Sequence, residues 1–374
     1  MEDLVNLWQG KRVFLTGHTG FKGGWLALWL AGLGANVRGF ALDPESEPNF
    51  FNVTSLKSVV EDVRGDIRDY ARLQAEMTKF APEVVFHLAA QPLVRRSYTD
   101  PLGTYATNAL GTAHVLEAVR NTRGVRAVVC VTTDKCYRNQ EWVWPYRETD
   151  PLGGHDPYAS SKACAEIVTA AYRQSFFPPG AFASHGVAVA TARAGNVIGG
   201  GDWSEDRLVP DLIRGFLEGH PVLIRRPHAI RPWQHVLEPV HGYVLLAERL
   251  LTDPGEFSDA FNLGPSDGDE WTVSQIADHM TLLWGDGASW VTDPEPGVHE
   301  SATLKLDSSK ARARLGWCPH LDLRTALDWT VSWFRLWLQK ADMLAETRTQ
   351  ISAYRQLLAS GSRKEGAFAG TSSR

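Results

Sequence analysis

Short apolar runs alternate with longer stretches of helical spacing through the first half of the chain. Residues 12–16, Arg-Val-Phe-Leu-Thr, are apolar at consecutive positions, as in a strand covered on both faces. Residues 21–32 have helical spacing, and Gly34 marks the end of that helix. Residues 36–42 form a second strand, stopped by Asp43-Pro44. The alternation continues with a helix at 69–80, a buried strand at 84–90 and a long helix at 105–119. A valine-rich strand at 126–132, a helix at 157–176 and a strand at 187–192 complete it. Strands joined by helical crossovers lie parallel, so this half predicts a doubly wound α/β sheet.

From residue 193 the texture changes. Segments shorten, and Gly, Pro, Trp and His become frequent. Helical spacing persists at 209–217, 240–251, 273–284 and 324–338. The expected organisation is a dinucleotide-binding domain over 1–192 and a smaller mixed α/β lobe for substrate over 193–345. A C-terminal tail is expected over 346–374, frayed from residue 360. There is no internal repeat.

Charge narrows the partners. The formal net charge of −5 is spread without long runs, which gives no electrostatic case for nucleic acid or an anionic membrane. No apolar run reaches membrane-spanning length. The four cysteines, at 130, 136, 164 and 318, form no CxxC pair and no zinc-finger spacing. The first ten residues lack a cationic region followed by an apolar one. A cytoplasmic chain with reduced thiols is expected. His228, His235 and His241 are too irregularly spaced for a metal site, so none is expected.

Candidate chemistry begins at Thr16-Gly17-His18-Thr19-Gly20-Phe21-Lys22-Gly23, between the first strand and the first helix. A glycine turn there lets backbone N–H groups approach a pyrophosphate, with the helix dipole in support. Asp43, ending the second strand, suits the ribose hydroxyls of NAD and repels the 2′-phosphate of NADP. It equally suits a turn before Pro44. Asp66-Ile67 suits the adenine, and Asp66 also suits a helix cap.

Tyr158 and Lys162 are four residues apart on a predicted helix and share a face. An ammonium beside a phenol favours the phenolate, which can take a proton from a sugar hydroxyl. Thr133 stands at the C-terminal end of its strand, where ligands bind in such sheets. These residues, with the glycine pattern, resemble the extended short-chain dehydrogenase/reductase superfamily of Rossmann enzymes. The strand Phe86-His87-Leu88-Ala89-Ala90-Gln91 and the helix piece Asn108-Ala109-Leu110-Gly111-Thr112 add to the likeness. The resemblance implies cofactor contacts at Thr19, Phe21, Ala89, Ala90, Gln91 and Asn108 as well as at the glycines, Tyr158 and Lys162.

Asp134-Lys135 follows Thr133 directly. At this position the sugar-nucleotide 4,6-dehydratases carry an acid and a base, and the related 4-epimerases do not. Most of those dehydratases have Glu where this chain has Lys135. A lysine serves as base only when burial or a neighbouring cation favours its neutral form. Thr133 to Tyr137, Trp142-Val143-Trp144, the glycine run 199–201 before Asp202-Trp203, and Arg231-Pro232-Trp233-Gln234-His235-Val236 are distinctive. Together they resemble the branch of these dehydratases that acts on CDP-glucose.

That resemblance implies C4 oxidation, loss of water across C5 and C6, and reduction at C6, with NAD retained. It also implies a role in deoxysugar biosynthesis, as for lipopolysaccharide O-antigen. Arg231 matches the arginine expected near the sugar-nucleotide diphosphate. Gln91, Arg95, Asn196, Arg207 and His299 are further substrate candidates, and Trp203 and Trp233 are possible stacking partners. A homodimer through residues 104–120 and 157–176 is implied. Two other readings stand beside this one: a nucleotide-sugar 4-epimerase or a dehydratase for another nucleotide, and a non-enzymatic relative that uses a bound dinucleotide as a redox sensor.

Overall fold

The computed structural model of the protein describes residues 7–266, 269–285, 287–294 and 303–366, with side chains to residue 360. Seven parallel strands form the central sheet: β1 (Arg12–Thr16), β2 (Asn36–Ala41), β3 (Glu61–Arg64), β4 (Val84–His87), β5 (Ala127–Val131), β6 (Ala188–Ala194) and β10 (Ala260–Leu263). Their spatial order is β10-β6-β5-β4-β1-β2-β3, so the order reverses between β1 and β4. Ligands bind at such a switch point, outside the carboxyl ends of the strands. Every side chain of β4, β5 and β6 is buried, which is why these strands read as largely apolar runs.

Helix α1 (Phe21–Gly32) crosses from β1 to β2, and Gly23 to Leu30 are all buried. A helix buried all round has neighbours on every side. Trp25 packs on Phe50 and His235, and its indole N–H donates to Gly200 O at 3.0 Å. Trp29 meets His241 and Tyr354. The other crossovers are α2 (Tyr70–Phe80), α3 (Gly111–Arg120), entered through a π-turn at Ala106–Leu110, and α4 (Pro157–Ser175).

The second half supplies two small parallel pairs. These are β7 (Asn196–Ile198) with β9 (Trp233–His235), and β8 (Val222–Ile224) with β11 (Trp290–Thr292). Its helices are α5 (Leu208–Glu218), α6 (Leu237–Thr252), α7 (Val273–Trp284) and α8 (Leu323–Leu338). The expected boundary at 192/193 is crossed, because β10 pairs with β6 in the main sheet and α6 covers β5 and β6.

The expected tail also differs. Met343–Gly366 is a helix, α9, with Ile351 and Tyr354 buried. The Tyr354 hydroxyl donates to Glu238 of α6. Two such side chains contribute about 1.5–3 kcal/mol each on burial, enough to dock a helix that its polar composition leaves unremarkable. Residues 367–374 lie outside the described residues.

Candidate active site

The strand ends open into a cavity of about 970 Å³ between the sheet and the second lobe. Its floor begins at the glycine turn. Gly17 has φ +83°, in the left-handed region. A Cβ on Gly17 would sit 2.7 Å from Ala89 N, and one on Gly23 would sit 2.0 Å from Gly17 O. These glycines therefore bring α1 tight against β1 and β4. Gly20 is the N-cap of α1 and has no side-chain cap, so the first turn presents N–H groups without side-chain partners. A Cβ on Gly20 would meet only Gly17 O, at 3.5 Å. This cradle at a helix N-terminus fits a dinucleotide pyrophosphate.

Thr16 ties the turn to β4. Its hydroxyl accepts from Leu88 N and Ala89 N, each at 3.2 Å, and lies 2.8 Å from His87 Nδ1. Gly17, Thr19, Gly20, Phe21, Gly23, Asp43, Asp66, Ile67, Ala89 and Ala90 all line the cavity. Asp43 is exposed at its rim, 3.5 Å from Arg64. Asp66 is held by Arg68, with Oδ1 accepting from the backbone N–H at 2.8 Å.

Two expected contacts lie elsewhere. Gln91 does not line the cavity, because its own loop satisfies the side chain. Its Oε1 accepts from Leu93 N at 2.6 Å, and its Nε2 donates to Leu93 O at 3.0 Å and Thr104 Oγ1 at 2.9 Å. Asn108 is buried behind the wall. Its amide accepts from Gln91 N at 2.8 Å and donates to Gln91 O at 3.0 Å and Ser161 Oγ at 2.8 Å. That links the loop after β4 to the helix carrying Tyr158. His299 lies outside the described residues.

Thr133, Asp134, Lys135, Tyr158 and Lys162 share one wall of the cavity. Asp156 caps α4 by accepting from Ala159 N at 2.8 Å, and Pro157 opens the helix. This start aims Tyr158 and Lys162 at the strand ends. Burial pushes the Tyr158 hydroxyl up to about 12, opposed by a hydrogen bond with Thr133 and by the charge of Arg207. Burial also takes the Lys162 ammonium down to about 8, opposed first by Glu166. Burial outweighs the lowering of Tyr158 expected from sequence, and the largest charge favouring its phenolate is that of Arg207.

Asp134 is 1% exposed. Its Oδ1 accepts from the Thr133 hydroxyl at 2.9 Å, while Oδ2 is buried with no hydrogen-bond partner among the described residues. Burial raises its pKa, against the pull of Lys135, the Thr133 hydrogen bond and Arg231. The Lys135 ammonium stands 5.9 Å from the Tyr158 ring centroid. The cavity thus joins a phenol, a buried carboxyl favouring its protonated form and a lysine, which suits proton transfers at adjacent carbons.

Arg95, Asn196, Arg207 and Arg231 also line the cavity. Arg207 is held by Asp202 Oδ2 at 3.1 Å. Arg95 pairs with Asp206 at 2.9 Å across the mouth. Trp203 and Trp233 also border the cavity, and Trp203 is packed edge-on by Trp333, Phe334 and Trp337. Lys22, not singled out from sequence, enters the cavity from the glycine turn. Burial takes it down to about 7, with Arg207 and Lys162 adding to the effect. The available signal was a cation inside a turn whose backbone alone suffices for phosphate. Among the described residues, no group of three or more His, Cys, Asp or Glu is placed to hold a metal. No described helix is long and apolar enough to cross a membrane.

Comparison with known proteins gives a consistent result. Residues 13–264 match the NAD dependent epimerase/dehydratase family. The CDP-glucose 4,6-dehydratase of Salmonella typhimurium strain LT2 is 53% identical over 349 residues, covering 93% of this chain and 97% of that protein. A dTDP-glucose 4,6-dehydratase of Streptomyces antibioticus is 33% identical over 276 residues, 73% of this chain and 76% of that one. The crystal structure of the UDP-glucose 4-epimerase of Thermotoga maritima with UDP-glucose superposes with a TM-score of 0.75 at 25% identity. It covers 87% of this chain and 99% of that one. On sequence and fold alike, the chain belongs to the NAD dependent epimerase/dehydratase family, with NAD as its cofactor.

Proposed function

We propose that the chain is a sugar-nucleotide 4,6-dehydratase that converts CDP-D-glucose to CDP-4-dehydro-6-deoxy-D-glucose and water. The observation that carries this reading is Asp134, a buried carboxyl with one unpartnered oxygen, bonded to Thr133 and followed by Lys135. Oxidation at C4 needs only Thr133, Tyr158 and Lys162. A carboxyl whose pKa burial raises has a use beside them when hydroxide must leave as water. Likeness to the Salmonella typhimurium enzyme supports cytidine diphosphate as the nucleotide.

Each residue then has one task. Tyr158 takes the proton of the C4 hydroxyl, and its phenolate is favoured by Thr133 and Arg207. Lys162 lies one helical turn on and holds charge beside it. The glycine turn of Gly17, Gly20 and Gly23 would hold NAD, which would supply a hydride acceptor for C4 and a hydride donor for C6. Lys135 takes the C5 proton, acidic once C4 is a ketone. Asp134 gives its proton to the C6 hydroxyl, which departs as water. Lys135 then returns a proton to C5, and the proton gained by Tyr158 replaces, by exchange through solvent, the one Asp134 gave up, so one water is lost and the redox change is internal. Arg207 and Arg231 hold the diphosphate, Asn196 a sugar or phosphate oxygen, and Arg95 closes the mouth.

The chain acts as a homodimer in the cytoplasm. Leu110, Ile167 and Phe176 are exposed apolar side chains on the two helical segments that would pair. The four cysteines are free, which suits a reducing compartment. Turnover of CDP-glucose in deuterated water tests the chemistry. The product is expected to carry deuterium at C5, whereas a 4-epimerase leaves C5 unexchanged.

A further inference from the structure

The span that carries the acid and the lysine of this site is held weakly within itself, its short backbone bond being the one Cys136 O accepts from Gly153 N at 2.8 Å. It is a single 3-10 turn, Asp134–Cys136, between a strand end and a loop. Cys136 N donates to Thr133 O at 3.3 Å, and Tyr137 N to Asp134 O at 3.4 Å. Bonds at the long end of the range do not fix two side chains to the tolerance that catalysis needs.

Both ends of the span lead instead to one buried ion pair. Glu166 of α4 and Arg193 of β6 meet at 2.8 Å with side chains 3% and 5% exposed. At one end, the Thr132 hydroxyl donates to Glu166 Oε1. At the other, Arg193 Nη1 donates to the Tyr137 hydroxyl at 2.8 Å. That hydroxyl in turn donates to Asn262 Oδ1 at 2.7 Å. Asn262 is fixed by donating to Tyr146 O at 2.9 Å and Asp307 O at 3.1 Å. Thr191 completes Glu166, donating to Oε2 at 2.9 Å. Glu166 lies four residues beyond Lys162 and eight beyond Tyr158, on the same face of the same helix.

An ion pair this deep contributes little to stability over a well-packed apolar replacement. Its value lies in geometry. We propose that the Glu166–Arg193 pair is a positioning clamp for Asp134 and Lys135, tying both ends of their span to the helix face that carries Tyr158 and Lys162. The clamp rests on the dehydratase reading above. Loosening the Tyr137 end lets the acid and the lysine drift while Thr133, at the strand end beside Thr132, stays in place with Tyr158 and Lys162. Elimination then slows and C4 oxidation does not. A purely structural pair would affect both steps together.

The test compares holoenzymes of wild type, Tyr137→Phe, Asn262→Ser and Asp134→Asn in a single turnover of CDP-glucose. The near-ultraviolet absorbance of reduced nicotinamide reports C4 oxidation, and mass spectrometry reports loss of water. In Tyr137→Phe, water loss is expected to fall roughly tenfold to a hundredfold. Nicotinamide reduction is expected to keep its rate, so the reduced form accumulates. Asn262→Ser withdraws the other partner of the same hydroxyl and should give the same signature, which decides the matter if Tyr137→Phe does not fold. Proportional slowing of both steps, or no change in either, overturns the clamp. Asp134→Asn separates the two failures. If it accumulates reduced nicotinamide and the clamp variants do not, the clamp alone is wrong. If Asp134→Asn does not accumulate it, the dehydratase reading falls and the clamp with it.

Discussion

The Thr133 hydroxyl donates to Asp134 Oδ1 at 2.9 Å, leaving Asp134 Oδ2 buried and unpartnered among the described residues. One oxygen is oriented and the other is available to a substrate. An asparagine keeps the acceptor toward Thr133 and removes the acidic proton. Asp134→Asn is therefore expected to retain C4 oxidation and to lose about 10²–10⁴-fold in water elimination. Rapid mixing with substrate, read by nicotinamide absorbance and product mass, checks this.

The glycine turn separates packing from ligand binding. Gly23→Ala drives a Cβ to 2.0 Å from Gly17 O and is expected to lower both thermal stability and NAD content. Gly20→Ala meets Gly17 O at an ordinary 3.5 Å and takes φ −81° without strain. It is expected to keep the wild-type melting temperature and to bind NAD about tenfold more weakly, because the methyl group fills the cradle. Calorimetric unfolding and titration with NAD on the stripped protein test the contrast. Equal loss of stability in both variants would contradict it.

Glu238 makes stability depend on pH. Burial raises its carboxyl from 4.5 to about 7, against hydrogen bonds from Tyr354, His320 N and Leu321 N. The folded state thus holds the proton more tightly than the unfolded state. Its stabilising contribution is full below about 4.5 and is lost as pH rises through about 7. A shift of this size corresponds to about 3 kcal/mol. Glu238→Gln keeps an acceptor for both N–H groups and has no proton to lose. Urea unfolding should find the variant close to wild type at pH near 4.5 and more stable above 7. A gap that does not change with pH would show that Glu238 stays protonated or pairs otherwise.

Arg207 is aimed at the cavity by Asp202, whose Oδ1 also accepts from Ser204 N at 3.1 Å and Ser204 Oγ at 2.7 Å. A hydrogen bond to a charged group is worth about 1.5–3 kcal/mol, so Arg207→Ala is expected to raise KM for the sugar nucleotide roughly ten- to a hundredfold. Asp202→Asn leaves the guanidinium in place but less fixed, and its effect is expected to be smaller. Steady-state kinetics on both variants measures the difference.

Local signals in the sequence reached far into this fold. The strands of the first half are buried on both faces, so their apolar runs stand out without tertiary context. Tyr158 and Lys162 were legible because one helical turn joins them. Ala260–Leu263 was not recognised as a seventh strand, since four residues carry too little pattern to separate strand from loop. The few apolar residues over 346–374 predict a tail, whereas Met343–Gly366 is a helix whose docking depends on Tyr354 meeting Glu238 across 116 positions. The orientation of Gln91 was illegible for the same reason, because an amide at a strand end can turn to its loop or to a ligand. Burial also reversed the charge argument made for Tyr158, which no spacing rule contains.

The account turns on loss of water from a cytidine sugar nucleotide, and one measurement reaches that directly. The purified protein, without added NAD, is incubated with CDP-glucose, and separately with dTDP-glucose, UDP-glucose and GDP-mannose, and the products are weighed by mass spectrometry. Loss of one water from CDP-glucose alone is the predicted result, and it would show that NAD copurifies. A C4 epimer of unchanged mass, formed with or without added NAD, would contradict the role given to Asp134 and Lys135 and make the chain an epimerase.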